Sequence, residues 1–246
     1  ADILHRELQL PINEDFSLPD EYCKRHKITH SRLRALVEKF NTIKVCIIGD
    51  LIIDEYIECQ PLGMSQEDPS LVVTPIERKS FIGGAGIVAA HGAGLGASSY
   101  LFSVTGDDKL SEYAKNKLEH YGVHATLLKD QNRPTTLKER YRSNNKTLLK
   151  VSKLYQGSID KKLSDRLVAK VESQIKDTNL IIFSDFNYGC LSNEAIKEIS
   201  RIAKENKVIM AADSQSSSQI GDIGRFKAMN LITPTEIEAR ISLKNK

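Results

Sequence analysis

Val45-Cys46-Ile47-Ile48-Gly49-Asp50 is the stretch on which the fold turns. Four apolar residues run without alternation and stop at a Gly-Asp. A strand with one wet face alternates apolar and polar residues, whereas an unbroken run suits a strand buried on both faces, as in a parallel sheet covered by helices. The Gly-Asp falls at the carboxyl end of that strand, the edge at which open α/β sheets bind ligands. Further strands are predicted at residues 99–104, 123–128, 180–184, 208–212 and 231–233. Helices are predicted at 84–97, 110–121, 163–175, 193–205 and 236–243. Strands alternating with helices of this length predict an α/β fold, with a mostly parallel sheet and helices on both faces.

Two stretches break the rhythm. Residues 56–59 with 71–82 read as strands without an intervening helix. Residues 135–141 and 147–152 flank Arg142-Ser143-Asn144-Asn145-Lys146, a polar hairpin signal. These insertions, about 56–82 and 134–152, predict a small separate β-sheet acting as a lid or a dimer surface. Residues 1–41 form a polar leader with Pro11 and Pro19. It includes one packed helix in which Leu33, Leu36, Val37 and Phe40 fall at helical spacing behind a cap at Ser31. The α/β domain occupies 42–246.

Composition bounds the function. The chain has 246 residues, 40% hydrophobic and 27% charged, with a formal net charge of +3. That balance gives no case for nucleic acid or an anionic membrane as partner. No apolar run approaches the ~20 residues that span a bilayer, and the amino terminus lacks the order of a secretory signal. Cys23, Cys46, Cys59 and Cys190 have no C-x-x-C spacing, so neither zinc nor a redox pair is expected and a reducing cytoplasm is the default. His91 is expected to pack against the glycine-rich helix, and the run Ser214–Ser218 is expected to be a flexible loop.

Polar residues recur at predicted strand ends: Asp50, Asp107 and Asp108, Ser184 and Asp185, Asp213, Thr233. A single Asp at such a place most simply caps the next helix. Recurrence at several strand ends favours a polar cleft able to hold hydroxyls or a hydrated metal. Gly84-x-Gly86-x-x-Ala89 also matches a dinucleotide fingerprint. It follows the mixed segment 76–81, however, where that motif requires a buried strand, so the NAD reading is the weaker.

From about residue 44 to 243 the order of short motifs resembles the ribokinase/pfkB-type carbohydrate kinases, and most nearly the heptose-phosphate kinases of polysaccharide biosynthesis. The motifs are Ile48-Gly49-Asp50 through Tyr56, Gly83-Gly84-Ala85-Gly86, Thr105-Gly106-Asp107-Asp108, Arg133-Pro134-Thr135-Thr136-Leu137-Lys138, Ser184-Asp185-Phe186 and Thr233-Pro234-Thr235-Glu236-Ile237-Glu238. The resemblance implies a ribokinase-like fold and ATP-dependent phosphorylation of a sugar or sugar phosphate, with magnesium. It sets Asp50 and Asp54 near sugar hydroxyls and Gly83 and Gly84 at close backbone approach. It sets Lys138 and Arg140 toward a phosphate on the substrate and Asp185 toward the cleft. Asp213, Thr235 and Glu238 would lie in the phosphate and magnesium region, Glu238 acting on the metal through water. A lid-mediated homodimer is a family expectation.

Several positions depart from the family. Ile87 and Thr235 stand where Asn is usual, Tyr188 where the heptose kinases have Lys, and Asp213-Ser214-Gln215 where Asp-Pro-Lys is usual. The Gly-Ala-Gly-Asp carrying the catalytic base, and the nucleotide-binding portion, are expected past Lys246. These departures motivate an alternative, a catalytically inactive kinase-derived module for sugar-phosphate binding or dimerisation. The leader faintly resembles the exit of a nucleotidyltransferase domain, which suggests a chain cut from a longer polypeptide.

Overall fold

The computed structural model describes residues 20–216 and 220–244. Pro11 and Pro19 of the leader, Ser217 and Ser218 of the serine run, and Asn245-Lys246 lie outside them. The chain divides into two units, one ending at Phe40 and one beginning at Asn41.

In the first unit, helices α1 (Asp20–Arg25) and α2 (His30–Glu38) are short. Thr29, not Ser31, caps α2 by accepting from the Arg32 amide at 3.2 Å. The apolar residues keep their helical spacing, but Leu33, Leu36 and Val37 are exposed and none of α2 is buried.

The second unit contains a six-stranded parallel sheet and a four-stranded mixed sheet. The strands are β1 (Lys44–Gly49), β2 (Leu51–Met64), β3 (Leu71–Gly84), β4 (Ser98–Thr105), β5 (His124–Lys129), β6 (Thr136–Ser143), β7 (Lys146–Lys153), β8 (Leu180–Asp185), β9 (Ile209–Ser214) and β10 (Leu231–Ile232). The large sheet runs β10-β9-β8-β1-β4-β5. Its helices are α3 (Ala85–Gly94), α4 (Lys109–His120), α5 (Lys161–Glu172), α6 (Asn193–Glu205) and α7 (Glu236–Ser242).

The unbroken apolar run of β1 is explained by its two faces. Val45 and Ile47 pack with Ala85 and Ala89 of α3 and Ala114 and Leu118 of α4. Cys46 and Ile48 pack with Leu163 and Leu167 of α5 and Ile196 and Ile199 of α6. Successive residues thus enter two separate cores, which is why no polar residue interrupts them. Side-chain caps begin four of the five helices of this unit: Asp108 for α4, Asp160 for α5, Ser192 for α6 and Thr235 for α7.

The second sheet has the order β3-β2-β6-β7. β2 pairs with β3 antiparallel and with β6 parallel. Asn144 and Asn145 both have positive φ, 47° and 64°, the two-residue turn that matches strand twist in a hairpin. The first insertion is longer than its sequence suggested. β2 starts at Leu51, with only Asp50 between it and the end of β1, and pairs Leu51 with Gly84. Two other expectations change: His91 is exposed, and Ser214 is fully buried as the last residue of β9, where it donates to Asp185 at 2.7 Å.

Candidate functional site

Alternation along β2 sends Ile53 and Ile57 to one side and Asp54, Tyr56 and Glu58 to the other. Register adds Phe81, Lys79 and Glu77 of β3 and Lys138, Arg140 and Arg142 of β6 to the polar face. The β2 and β3 residues of this face and Arg142, with the Gly83-Gly84 end of β3 and Ile87 of α3, line a cleft of about 800 Å³. The cleft lies beside the carboxyl end of β1, where ligands bind in open parallel sheets.

Two predicted residues meet at its wall. Arg140 donates through Nη1 to Asp54 Oδ1, and its guanidinium stands 5.2 Å from the Tyr56 ring. Burial works against the charge of Arg140, but the hydrogen bond and charge of Asp54 outweigh it and hold the guanidinium protonated. The glycines have separate reasons. A Cβ at Gly83 would fall on the Asp54 carboxylate, so the absence of a side chain there gives the acid its place. Gly84, at φ 56° and ψ −139°, occupies a backbone region that only glycine enters freely and lies against the carbonyl of Asp50.

Asp50 and Asp185 do not reach the cleft. Asp50 is buried, and its carboxylate accepts three backbone amides of one loop: Phe186 at 2.8 Å, Tyr188 at 3.2 Å and Cys190 at 3.1 Å. Burial, and secondarily the charge of Asp185, push its pKa up to about 6 against the pull of those amides. Asp185 is 1% exposed and accepts from Ser214 and from the Asn187 amide, with Arg225 at 3.6 Å. The sequence reading faced both acids toward the sugar; their oxygens instead hold the 186–190 loop.

That loop meets Lys138, whose ammonium lies 5.0 Å from the rings of both Phe186 and Tyr188 and whose side chain is buried. Arg133 ties the surroundings together. Nε donates to Asp130 at 2.9 Å, Nη1 to the Tyr188 carbonyl and Nη2 to the Gly157 carbonyl, both at 3.1 Å. The segments leading into and out of β6 and β7 are thereby joined to the loop that Asp50 orders.

A second cluster gathers at the ends of β9 and β10. Asp213 accepts from Thr233 at 2.9 Å. Its pKa is raised by burial first, then by the charges of Glu238 and Asp185. Glu238 and Thr235 form a capping box: the Glu238 amide donates to the Thr235 hydroxyl, and the Thr235 amide donates back to the carboxylate at 2.8 Å. The other Glu238 oxygen accepts the Ser216 amide at 2.8 Å. Burial works against this charge, and the amides more than offset it, leaving the carboxyl below its ordinary value. No group of three metal-ligating side chains is assembled among the described residues. The carboxylates of Asp213, Glu238 and Asp185 concentrate negative charge here, surroundings that fit a hydrated divalent cation.

The structure therefore brings Asp54, Gly83 and Gly84 to one cleft, with Arg140 paired to Asp54, and Asp213, Thr235 and Glu238 to another place, with Lys138, Asp50 and Asp185 buried beside the 186–190 loop. Sequence reading missed Tyr56, Arg142 and Phe186. The signal was the alternation Lys138-x-Arg140-x-Arg142, which puts three cations on one face of a strand.

Comparison with known proteins supplies the family. The model of the pfkB family carbohydrate kinases matches residues 42–246. The bifunctional protein HldE of Desulfatibacillum aliphaticivorans is 30% identical over 204 residues, covering 82% of this chain and 41% of that protein. The HldE of Campylobacter jejuni strain 81116 is 29% identical over 201 residues, with the same coverage. The chain thus spans about two fifths of the length of these relatives. Among solved structures, phosphofructokinase-2 from Escherichia coli in complex with fructose-6-phosphate aligns with a TM-score of 0.63 at 13% identity, over 83% of this chain and 65% of that one. Arabidopsis thaliana ribokinase complexed with ribose and ATP aligns at 0.57 and 14% identity, over 80% and 62%. The ribokinase-like fold is shared with these enzymes, and by its sequence over residues 42–246 this chain belongs to the pfkB family of carbohydrate kinases.

Proposed function

We propose that the chain carries the carbohydrate-holding part of a kinase that transfers the γ-phosphoryl group of ATP to a hydroxyl of a sugar or sugar phosphate. A heptose phosphate is the class nearest by sequence resemblance. The observation that carries the reading is the Asp54–Arg140 pair beside the bare Gly83-Gly84 end of β3 at the cleft. A carboxylate held in place by a guanidinium accepts hydrogen bonds from sugar hydroxyls, and the bare glycine backbone lets the ring approach. The second sheet acts as a lid, excluding water from a reaction that depends on positioning and charge neutralisation.

Magnesium, when bound, would neutralise phosphate charge. Asp213 and Glu238 are the residues that would hold its waters. As the acceptor oxygen bonds to the γ-phosphorus its proton must leave, and no described residue of this chain is assigned that base. The lid supports self-association, since Leu62, Met64, Leu71, Val72 and Ile76 leave large apolar surface exposed on the β2–β3 hairpin. No helix among the described residues is long and apolar enough to cross a membrane, and a cytoplasmic setting is proposed from the four free cysteines.

The test is a coupled ATP-consumption assay on the complete polypeptide with a panel of hexoses, heptoses and their phosphates. The reading predicts sugar-dependent turnover that needs magnesium and falls at least a hundredfold (on the order of 3 kcal/mol) in Asp54→Asn. Sugar binding without turnover would establish the inactive module instead. Turnover unchanged by Asp54→Asn would remove the cleft from the reaction.

A further inference from the structure

The cleft that Asp54 lines has two unlike ends. Charge collects at the outer end: Glu77 is paired with Lys79 at 3.0 Å, Glu58 stands opposite Glu77, and Arg142 lies 5.5 Å from the Tyr56 ring. At the inner end, beside Gly83 and Gly84, Asp54 is the one charged side chain among the described lining residues, and the others there are Phe81, Ile82 and Ile87. Phe81 stands opposite Asp54 in the β2–β3 register, and Ile87 lies in the first turn of α3, directly after the glycines. Core packing does not account for these two apolar side chains. Ala85, Val88 and Ala89 of the same helix enter the apolar core on their side of the large sheet, but Ile87 and Phe81 join neither core. Ile87 is half-buried and Phe81 is 47% exposed.

We propose that Ile87 and Phe81 form an apolar contact that selects a deoxy sugar, one that turns a methyl or methylene carbon toward them while its hydroxyls meet Asp54. This rests on the carbohydrate-kinase reading and names its substrate class. Neither side chain carries a hydrogen-bonding atom. A hydroxyl turned toward them gives up water without gaining a partner, which weakens binding by about fivefold to a hundredfold. A methylene buried in the same place strengthens binding by about fourfold. The Asp54 carboxylate, paired with Arg140, accepts hydrogen bonds and donates none, so it favours hydroxyl groups. The two contacts therefore ask opposite things of the ligand: hydroxyls at Asp54, and bare carbon at Ile87 and Phe81. A fully hydroxylated sugar satisfies the first and is penalised at the second; a deoxy sugar satisfies both.

The test is calorimetric titration of the complete polypeptide with matched pairs: 2-deoxyribose against ribose, 2-deoxyglucose against glucose, L-fucose against L-galactose and L-rhamnose against L-mannose. The first two pairs are also compared as their 5-phosphates and 6-phosphates respectively. The wild-type protein is expected to bind at least one deoxy member about tenfold to a hundredfold more tightly than its parent, the range open to an apolar contact that discriminates one hydroxyl. Ile87→Asn, which offers a donor and an acceptor, is expected to erase or invert that preference, the parent sugar gaining affinity. A gain of affinity cannot come from misfolding. Ile87→Val, smaller and still apolar, keeps the preference. Equal binding within every pair, tighter binding of the hydroxylated members, or a deoxy preference that survives Ile87→Asn overturns the assignment while leaving the carbohydrate cleft standing. Binding of no member of any pair overturns both.

Discussion

Replacing Asp50 by Asn should change the pH dependence of stability more than the stability itself. The carboxylate is buried among three amides, which favour the charged form, while burial and Asp185 disfavour it; the balance lifts its pKa from the ordinary 3.8 to about 6. Because the folded value lies above the unfolded one, the folded chain binds the extra proton between them. The stabilising contribution is fully present below about pH 4 and is lost as pH rises through about 6. Each tenfold change in proton affinity corresponds to about 1.4 kcal/mol, so ionising Asp50 removes on the order of 3 kcal/mol between pH 4 and pH 7. Asparagine does not ionise, but its amide group turns N–H toward at least one of the loop amides, leaving a buried donor unsatisfied at about 1–3 kcal/mol. Urea denaturation of both proteins from pH 4 to 7.5 gives the difference for Asp50 together with the Asp185 charge coupled to it, since groups distant from the pair cancel. From pH 4 to pH 7 the difference should move by about 3 kcal/mol in favour of Asp50→Asn, so that any deficit of the variant at pH 4 closes or reverses. A gap that stays constant, or widens with pH, would refute the reasoning by showing that the three amides govern the titration.

Other perturbations probe the frame and the cleft. Gly84→Ala should cost at least about 2 kcal/mol, from positive φ and the Asp50 carbonyl; the control Gly94→Ala, with open space around it, should be neutral or slightly stabilising, and equal costs at the two sites would sink the argument. Arg133→Ala should destabilise by about 3–5 kcal/mol because Asp130 loses its buried partner. Limited proteolysis should then cut at 154–158 before the rest of the chain, and a loss under about 1 kcal/mol would show that the tie is not structural. Asp54→Asn should alter stability by about 1 kcal/mol or less, the pair being partly exposed, while abolishing carbohydrate binding; a large loss of stability would make the pair a structural element.

What could be read from the sequence followed from local rules. The run 45–48 announced a strand with two covered faces, and Asn144-Asn145 announced a tight hairpin, because both signals are complete within a few residues. The start of β2 was missed because Asp50-Leu51 looks like a continuation of the first strand, and only pairing with Gly84 assigns Leu51 to another sheet. Asp50 illustrates a different limit. Its residue type suited a ligand edge, but its partners lie some 136 to 140 residues later, and nothing local reveals that three loop amides converge on it. Thr235-x-x-Glu238 carried the capping-box pattern openly and was read for metal chemistry; the structure gives its oxygens to amides first. In α2 the helical spacing was correct, but spacing cannot say whether a partner covers the stripe.

The most direct test of the central claim is an amide nuclear magnetic resonance titration with a sugar phosphate, watching Gly83 and Gly84, whose signals fall in the uncrowded glycine region. If the cleft under the second sheet holds the carbohydrate, these two amides and those of Asp54 and Tyr56 should shift together with one binding isotherm. Saturable shifts confined elsewhere, for instance to the smaller cleft by Tyr100 and His124 near the start of β4 and β5, with Gly83 and Gly84 unmoved, would contradict it.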